Sequence, residues 1–177
     1  MTKSLVVSDS SSLILVTKAG LLSILCKEFE VEIPERVFEE TVTAGRQFQK
    51  VDSIKIDETI REKKIKVKKV NKENNVLAKQ LAEFNLGEGE KEAILLYRQV
   101  NAKVLLIDDL QGIKMAKLIN LNWTTVPKLV TGFVKGGKIS KKQGLEALRV
   151  IQLAGRYRLD FILDAMNEIE KLNEVKP

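Results

Sequence analysis

At 177 residues with 44% hydrophobic side chains, the chain is sized for one compact domain with a substantial core, and two full domains would be cramped. Its 30 basic and 24 acidic residues leave a formal charge of +6, which favours an anionic partner, nucleic acid being the obvious candidate. No apolar run is long enough or free enough of charge to cross a bilayer, and Asp9 interrupts the opening MTKSLVVSDSSSLILV where a cleavable leader would stay apolar, so a cytoplasmic location and no membrane partner are expected.

SLVVS, Ser4 to Ser8, is a β-branched run before a serine-rich turn and predicts a buried strand with Asp9 at its carboxyl end. Two short helices follow, Ser11 to Ala19 and Leu21 to Glu28, separated by Gly20, which takes the left-handed conformation that stops a helix. The only cysteine, Cys26, sits in the second, within LLSILC; it permits no internal disulfide and reads as a buried thiol. Val31 to Ile33 predicts a second strand, and Pro34 opens a helix to Ala44 with Gly45 as its stop. Between Arg46 and Asn75 a helix and then an alternating strand, IKVKKV, are expected.

From Asn85 the pattern sharpens. Asn85 and Glu88 have capping-box spacing, and the helix they open runs through EKEAILLYRQV. Ala102 to Ile107 is a strand, Leu110 to Asn120 a helix, and Trp123 to Val126 a short strand, with Pro127 opening the next helix. Ser140 with Gln143 starts a helix to Leu153, and Asp160 starts the last. Apolar strands alternating with helices imply an α/β fold, a mainly parallel sheet covered on both faces. A single domain over residues 1–177 is expected, its core in about the first 130 residues. Residues 131–177 then form a helical extension packed on that core or on a dimer partner.

Ligands of such sheets gather at the carboxyl ends of the strands. Asp9 follows the first strand, and Asp108 with Asp109 follow a later one in LLIDDLQGIKMA, so they face one another if those strands are neighbours. At about 100° per residue, Glu90 shares the stripe of Ala93, Ile94 and Tyr97, Glu92 is well off it, and Glu88 lies opposite with a capping role to explain it. In the helix after Pro34, Glu40 flanks the stripe of Val37, Phe38 and Val42 while Glu39 points away. Asp9, Glu40, Glu90 and Asp108 or Asp109 are thus expected to converge. Carboxylates so gathered repel unless protonated or bound to a cation, and Mg²⁺ or Mn²⁺ is the natural one; having no histidine and one cysteine argues against zinc.

DSS at Asp9 to Ser11, PERVFEE at Pro34 to Glu40, LGEGEKEAI at Leu86 to Ile94 and IDD at Ile107 to Asp109 stand in an order that resembles the PIN-domain ribonucleases. The resemblance is in particular to the prokaryotic group that includes VapC-type toxins, within it an archaeal and bacterial subgroup, and covers about the first 130 residues. It implies a three-layer α/β/α domain that hydrolyses RNA with Mg²⁺ or Mn²⁺. Asp9, Glu40, Glu90, Asp108 and Asp109 become the catalytic set, and Asp9, Glu90, Asp108 and Asp109 the metal-binding acids. Ser10, Ser11 and Glu92 stand behind them, although SSS also reads simply as the cap of the first helix. The resemblance further implies a homodimer and a small antitoxin covering the acidic groove. Leu106 and Ile107 stand where many members have a hydroxyl, and Ile113 near the place of a common basic residue.

Other readings remain. A haloacid-dehalogenase-type phosphotransferase needs a second Asp two positions after its nucleophile, where this chain has Ser11, and a receiver domain needs its acidic pair early rather than late. A catalytically inactive PIN scaffold that binds RNA or a protein is the non-enzymatic alternative. The basic runs REKKIKVKKVNK, Arg61 to Lys72, and VKGGKISKK, Val134 to Lys142, are either phosphate contacts or solvated faces. The apolar C-terminal segments LEALRVIQLAG and FILDAMNEIEKL pack on the core or form a dimer contact.

Overall fold

The computed structural model describes residues 2–48, 50–73, 75–154, 157 and 159–172. Five strands, β1 (Ser4–Ser8), β2 (Phe29–Pro34), β3 (Ile65–Lys68), β4 (Val104–Leu106) and β5 (Trp123–Thr124), form one parallel sheet in the order β3-β2-β1-β4-β5. Val6 pairs with Val31 on one side and with Val104 on the other. The chain therefore leaves β1 first towards β2 and later returns to its opposite flank at β4. That reversal opens a crevice at the carboxyl ends of β1 and β4.

The helices are α1 (Ser10–Lys18), α2 (Leu22–Glu28), α3 (Glu35–Phe38), α4 (Ala44–Gln47), α5 (Val51–Arg61), α6 (Val76–Ala82), α7 (Glu88–Gln99), α8 (Leu110–Leu118), α9 (Val126–Lys135), α10 (Lys141–Ala154) and α11 (Leu159–Lys171). They cover both faces of the sheet, giving the three-layer α/β/α architecture. Side-chain alternation along the strands sorts the core into two: Val6 and Leu106 pack towards α1, α2, α9 and α10, while Val7 and Leu105 pack towards α7 and α8. Val7 and Leu105 are fully buried, and burying a Val or Leu side chain contributes roughly 1.5–3 kcal/mol. Runs as apolar as SLVVS and VLL suit only such a doubly covered sheet.

Gly20 ends α1 at φ +72°, as expected. Gly45, in contrast, does not stop the helix after Pro34. That helix runs on through a π turn at Glu39–Thr43 into α4, because Gly45 serves close packing: a Cβ there would lie 2.5 Å from Ser53 Cβ at the start of α5. Helix α6 has no counterpart among the expected elements. Its signal is Asn75, whose Oδ1 accepts the Ala78 N–H at 3.1 Å.

Ser140 and Gln143 cap α10 reciprocally, with Ser140 N–H donating to Gln143 Oε1 at 2.9 Å and Gln143 N–H to Ser140 Oγ at 3.2 Å. Leu148 and Ile151 of α10 and Ile162 and Ile169 of α11 are fully buried in the core on the α1 face, so both helices pack on their own chain. Gly155, the last residue of LEALRVIQLAG, lies outside the described residues. Among the described residues no single helix is long and apolar enough to cross a membrane.

Candidate active site

Strand β1 delivers Asp9 into the crevice, where its N–H donates to Leu106 O of β4 at 3.1 Å. Asp9 caps α1: Oδ1 accepts the Ser12 N–H at 2.8 Å, and Oδ2 accepts the Ser11 hydroxyl at 3.0 Å. The capping role expected of SSS thus falls to the aspartate, whose carboxylate reaches the Ser12 N–H. Ser10 and Ser11 are left to donate to acids, Ser10 to Glu40 Oε2 at 2.5 Å.

At the end of β4 the adjacent acids divide. Asp109 caps α8, its Oδ1 accepting from the N–H groups of Gln111 at 2.7 Å and Gly112 at 3.2 Å. Asp108 reaches the start of α9 instead, where its Oδ1 accepts the Val126 N–H at 3.0 Å. Each thereby faces the partial positive charge of a different helix, which offsets part of their mutual repulsion. Asp108 Oδ2 is sealed from solvent without a hydrogen-bond partner.

The start of α7 requires a correction. The cap of α7 is Gly87, with φ −61° and ψ 150°, and Glu90 is the third helical residue: its Oε2 accepts the Gly87 N–H at 3.0 Å. The pairing expected of Asn85 with Glu88 is absent because the helix starts later; Glu88 accepts instead from Lys91 at 2.9 Å. Glu90 thus combines a capping role with a place among the acids. Glu40 lies in the π turn, held from Ser10 and, at Oε1, by Arg36 Nε at 2.9 Å, while Glu39 is exposed and bonds Arg36 from outside. Glu92, off the stripe, is mostly covered: it accepts the Arg36 N–H at 3.3 Å and pairs with Lys72 at 2.7 Å, tying α7 to the start of α3.

The acids interact across these elements. Burial pushes the Asp9 carboxyl above its ordinary range, opposed by the bonds from Ser12 and Ser11. Burial and then the charge of Asp9 push Asp108 up to about 7. Glu90 is also pushed up to about 7, by burial first, then by Asp109, with Asp9 and Glu40 adding to the rise. Ser12 Oγ, fully buried, lies beside Asp9 and Asp108 without closing a good bond to either.

Among the described residues no three of these acids already stand as a formed metal-binding group. Their charges nevertheless act on one another, Asp9 on Asp108 and Asp109, Asp9 and Glu40 on Glu90. Their chemistry nonetheless fits a hard divalent cation: all are oxygen donors, one buried oxygen has no partner, and two are raised by burial and then by like charge.

Sequence reasoning missed four supports of this site. Arg36 was legible as the i, i+4 partner of Glu40 within PERVFEE. Gly89 permits a close approach, since a Cβ there would run into Glu40 Oε2 and lie 3.0 Å from Ser10 Oγ. Gly112 does the same for α8, where a Cβ would overlap Ile107 Cδ1 and lie 3.9 Å from Glu90 Cγ. Ser12 had no signal beyond the serine run. The basic runs, for their part, are partly neutralised: Lys64, Lys66, Lys68 and Lys72 pair with Glu62, Glu30, Glu32 and Glu92, and Lys135 and Lys138 with Glu168 and Glu28.

A family model described as a PIN domain matches residues 5–170, and the chain belongs to the PIN-domain family. No curated protein matches it. PIN domains are generally nucleases that use divalent metals on nucleic-acid substrates.

Proposed function

We propose that this chain is a metal-dependent endoribonuclease that hydrolyses RNA phosphodiester bonds, with Asp9, Glu90, Asp108 and Asp109 holding Mg²⁺ or Mn²⁺ and Glu40 completing the catalytic set. The observation that carries this reading is the buried pair Asp9 and Asp108 at the reversal of the sheet, one of whose oxygens has no partner. When bound, the ion would polarise a phosphoryl oxygen and lower the pKa of a water.

The chain's own residues orient the acids. Backbone N–H groups fix one oxygen each of Asp9, Asp108, Asp109 and Glu90, which leaves the second oxygen of Asp108, Asp109 and Glu90 for a ligand. Ser11 holds the second oxygen of Asp9, and Ser10 with Arg36 holds Glu40. Near neutral pH, Glu90 and Asp108 retain protons part of the time; those protons leave when positive charge arrives.

The motif order DSS, PERVFEE, LGEGEKEAI, IDD supports a finer form: the toxin of a VapBC-type pair, working as a homodimer in the cytoplasm and held inactive by a small antitoxin. A second reading, a PIN scaffold that binds RNA or protein without cutting, is favoured by the absence of a formed ion cage among the described residues. Cleavage of a mixed structured RNA in EDTA, Mg²⁺ or Mn²⁺, comparing the native chain with Asp9→Asn, separates the two. Asparagine keeps the helix cap, so cutting that needs metal and is lost in the variant establishes the nuclease. Binding without cutting by the native chain points to the scaffold. A monomer in light scattering at micromolar concentration counts against the homodimer.

A further inference from the structure

Buried hydroxyls in this fold are satisfied by nearby backbone carbonyls. Thr17, Thr41 and Thr131 each donate to the carbonyl four residues earlier, at 2.7, 2.7 and 3.1 Å, while Ser53 donates to Lys50 O at 2.6 Å and Ser8 to Asp9 O at 3.1 Å. Ser12 is the exception among the buried serines and threonines described. It is fully buried, yet its Oγ has no hydrogen-bond partner.

The second oxygen sealed without a partner in this part of the fold is Asp108 Oδ2. The two come from different elements, Ser12 from the first turn of α1 and Asp108 from the exit of β4. They meet because β1 and β4 are hydrogen-bonded neighbours, Ser8 pairing with Leu106, so that both exits open at one end of the sheet. The Ser12 hydroxyl acts on Asp9 and Asp108 alike, lowering both carboxyls against the burial that raises them.

A buried polar atom without a partner is destabilising, and alanine would fill the same place in the helix without that penalty. Packing therefore gives no reason for the oxygen. Capping gives none either, since the bond to Asp9 Oδ1 is made by the Ser12 backbone N–H and needs no side chain. A hydroxyl has one hydrogen to donate, and here that hydrogen stands beside two carboxylates that repel each other. A cation shared by the pair would cancel the repulsion, and hydrogen bonds to metal-binding carboxylates orient them on the ion.

We propose that Ser12 is a positioning residue for the cation, its hydroxyl donating to the Asp9–Asp108 pair and fixing both carboxylates on the ion. This rests on the metal-dependent reading above. A serine that serves only the fold and one that serves the ion differ in what its removal does: the first lowers stability in EDTA, the second lowers affinity for the ion and leaves that stability intact.

The test uses the full chain stripped of metal and titrated with Mn²⁺, the unbound ion being counted by its electron paramagnetic resonance signal, with thermal unfolding in EDTA measured beside it. Ser12→Ala should weaken Mn²⁺ binding roughly ten-fold. Its melting temperature in EDTA should match that of the native chain or exceed it by about 2–4 °C, because an unpartnered hydroxyl has been removed. Ser12→Thr keeps the hydroxyl; it should lose melting temperature to the added methyl and recover most of the affinity.

Equal Mn²⁺ affinity in the native chain and Ser12→Ala overturns the proposal and leaves the metal reading standing. A melting temperature in EDTA that falls in Ser12→Ala overturns it too, because the hydroxyl then serves the fold. A native chain that binds no Mn²⁺ removes the metal reading and the role of Ser12 with it. Binding of Mn²⁺ without cutting of RNA removes only the nuclease, and the affinities still decide Ser12.

Discussion

Replacing Asp108 with asparagine should stabilise the metal-free protein while destroying the charge a cation needs. The Asp108 carboxyl moves from 3.8 to about 7, so the folded chain holds its proton more tightly than the unfolded chain. Stability linked to this group is fully present below about pH 4 and is lost as pH rises through about 7, because the unfolded chain ionises freely and the folded one cannot. A shift of about three units corresponds to about 4 kcal/mol at the alkaline end.

The substituted asparagine would retain the Oδ1 acceptor for Val126 N–H and place an amide where Oδ2 lacks a partner, beside the Asp9 acceptor. Burying that amide costs about 1–3 kcal/mol if it finds no bond, so a net gain of about 2 kcal/mol is expected. For 177 residues that is a rise of about 4–8 °C. The assay is thermal unfolding in EDTA from pH 4 to 8, repeated with Mg²⁺. The variant should lead at pH 8, the gap should close and then reverse towards pH 4, where only the cost of the buried amide is left, and Mg²⁺ should raise the native midpoint more than the variant's. A variant less stable at pH 8, or a gap independent of pH, would refute the electrostatic account.

Gly89→Ala drives a methyl into Glu40 Oε2 and towards Ser10; Glu40 can swing away, so stability should fall by only about 1–2 kcal/mol while cleavage falls about ten-fold, and unchanged cleavage with the same melting point would remove Glu40 from the site. Cys26, buried and pushed up to about 11, holds its proton in the fold when the unfolded thiol ionises near 9. Stability should therefore decline between about pH 9 and 11 by about 2–3 kcal/mol, and Cys26→Ala, less stable at neutral pH, should lose that component of the slope in urea titrations. Ser11→Ala removes one bond to Asp9 and should raise the metal concentration needed for half-maximal cleavage about ten-fold, with little change in melting temperature.

Much of the fold was legible because it is written in local chemistry. Gly20, Pro34 and the Ser140–Gln143 pair mark helix ends through backbone torsion and hydrogen bonds that involve only near neighbours in the chain. Continuous apolar strands announced a sheet covered on both faces, and the acids at strand ends announced a crevice. Gly45 misled because a stop and a close approach demand the same residue, and only the position of Ser53 distinguishes them. The cap of α7 misled in a similar way: Asn85 with Glu88 and Gly87 with Glu90 have the same spacing, and the later start of the helix selected the second pair.

By itself the sequence determined the alternation of strands and helices, the placing of Asp9, Asp108 and Asp109 just past apolar strands, and the donor chemistry of carboxylates without histidine. Those follow from periodicity and residue type, which act over a few residues. The tertiary structure alone decided that β1 and β4 are neighbours, that Asp108 and Asp109 turn to different helices, that glutamates neutralise part of the lysine runs, and that Ser12 comes to lie beside Asp108. Each of these joins residues distant along the chain or splits adjacent ones by the fold around them, and such relations are settled by which surfaces pack together.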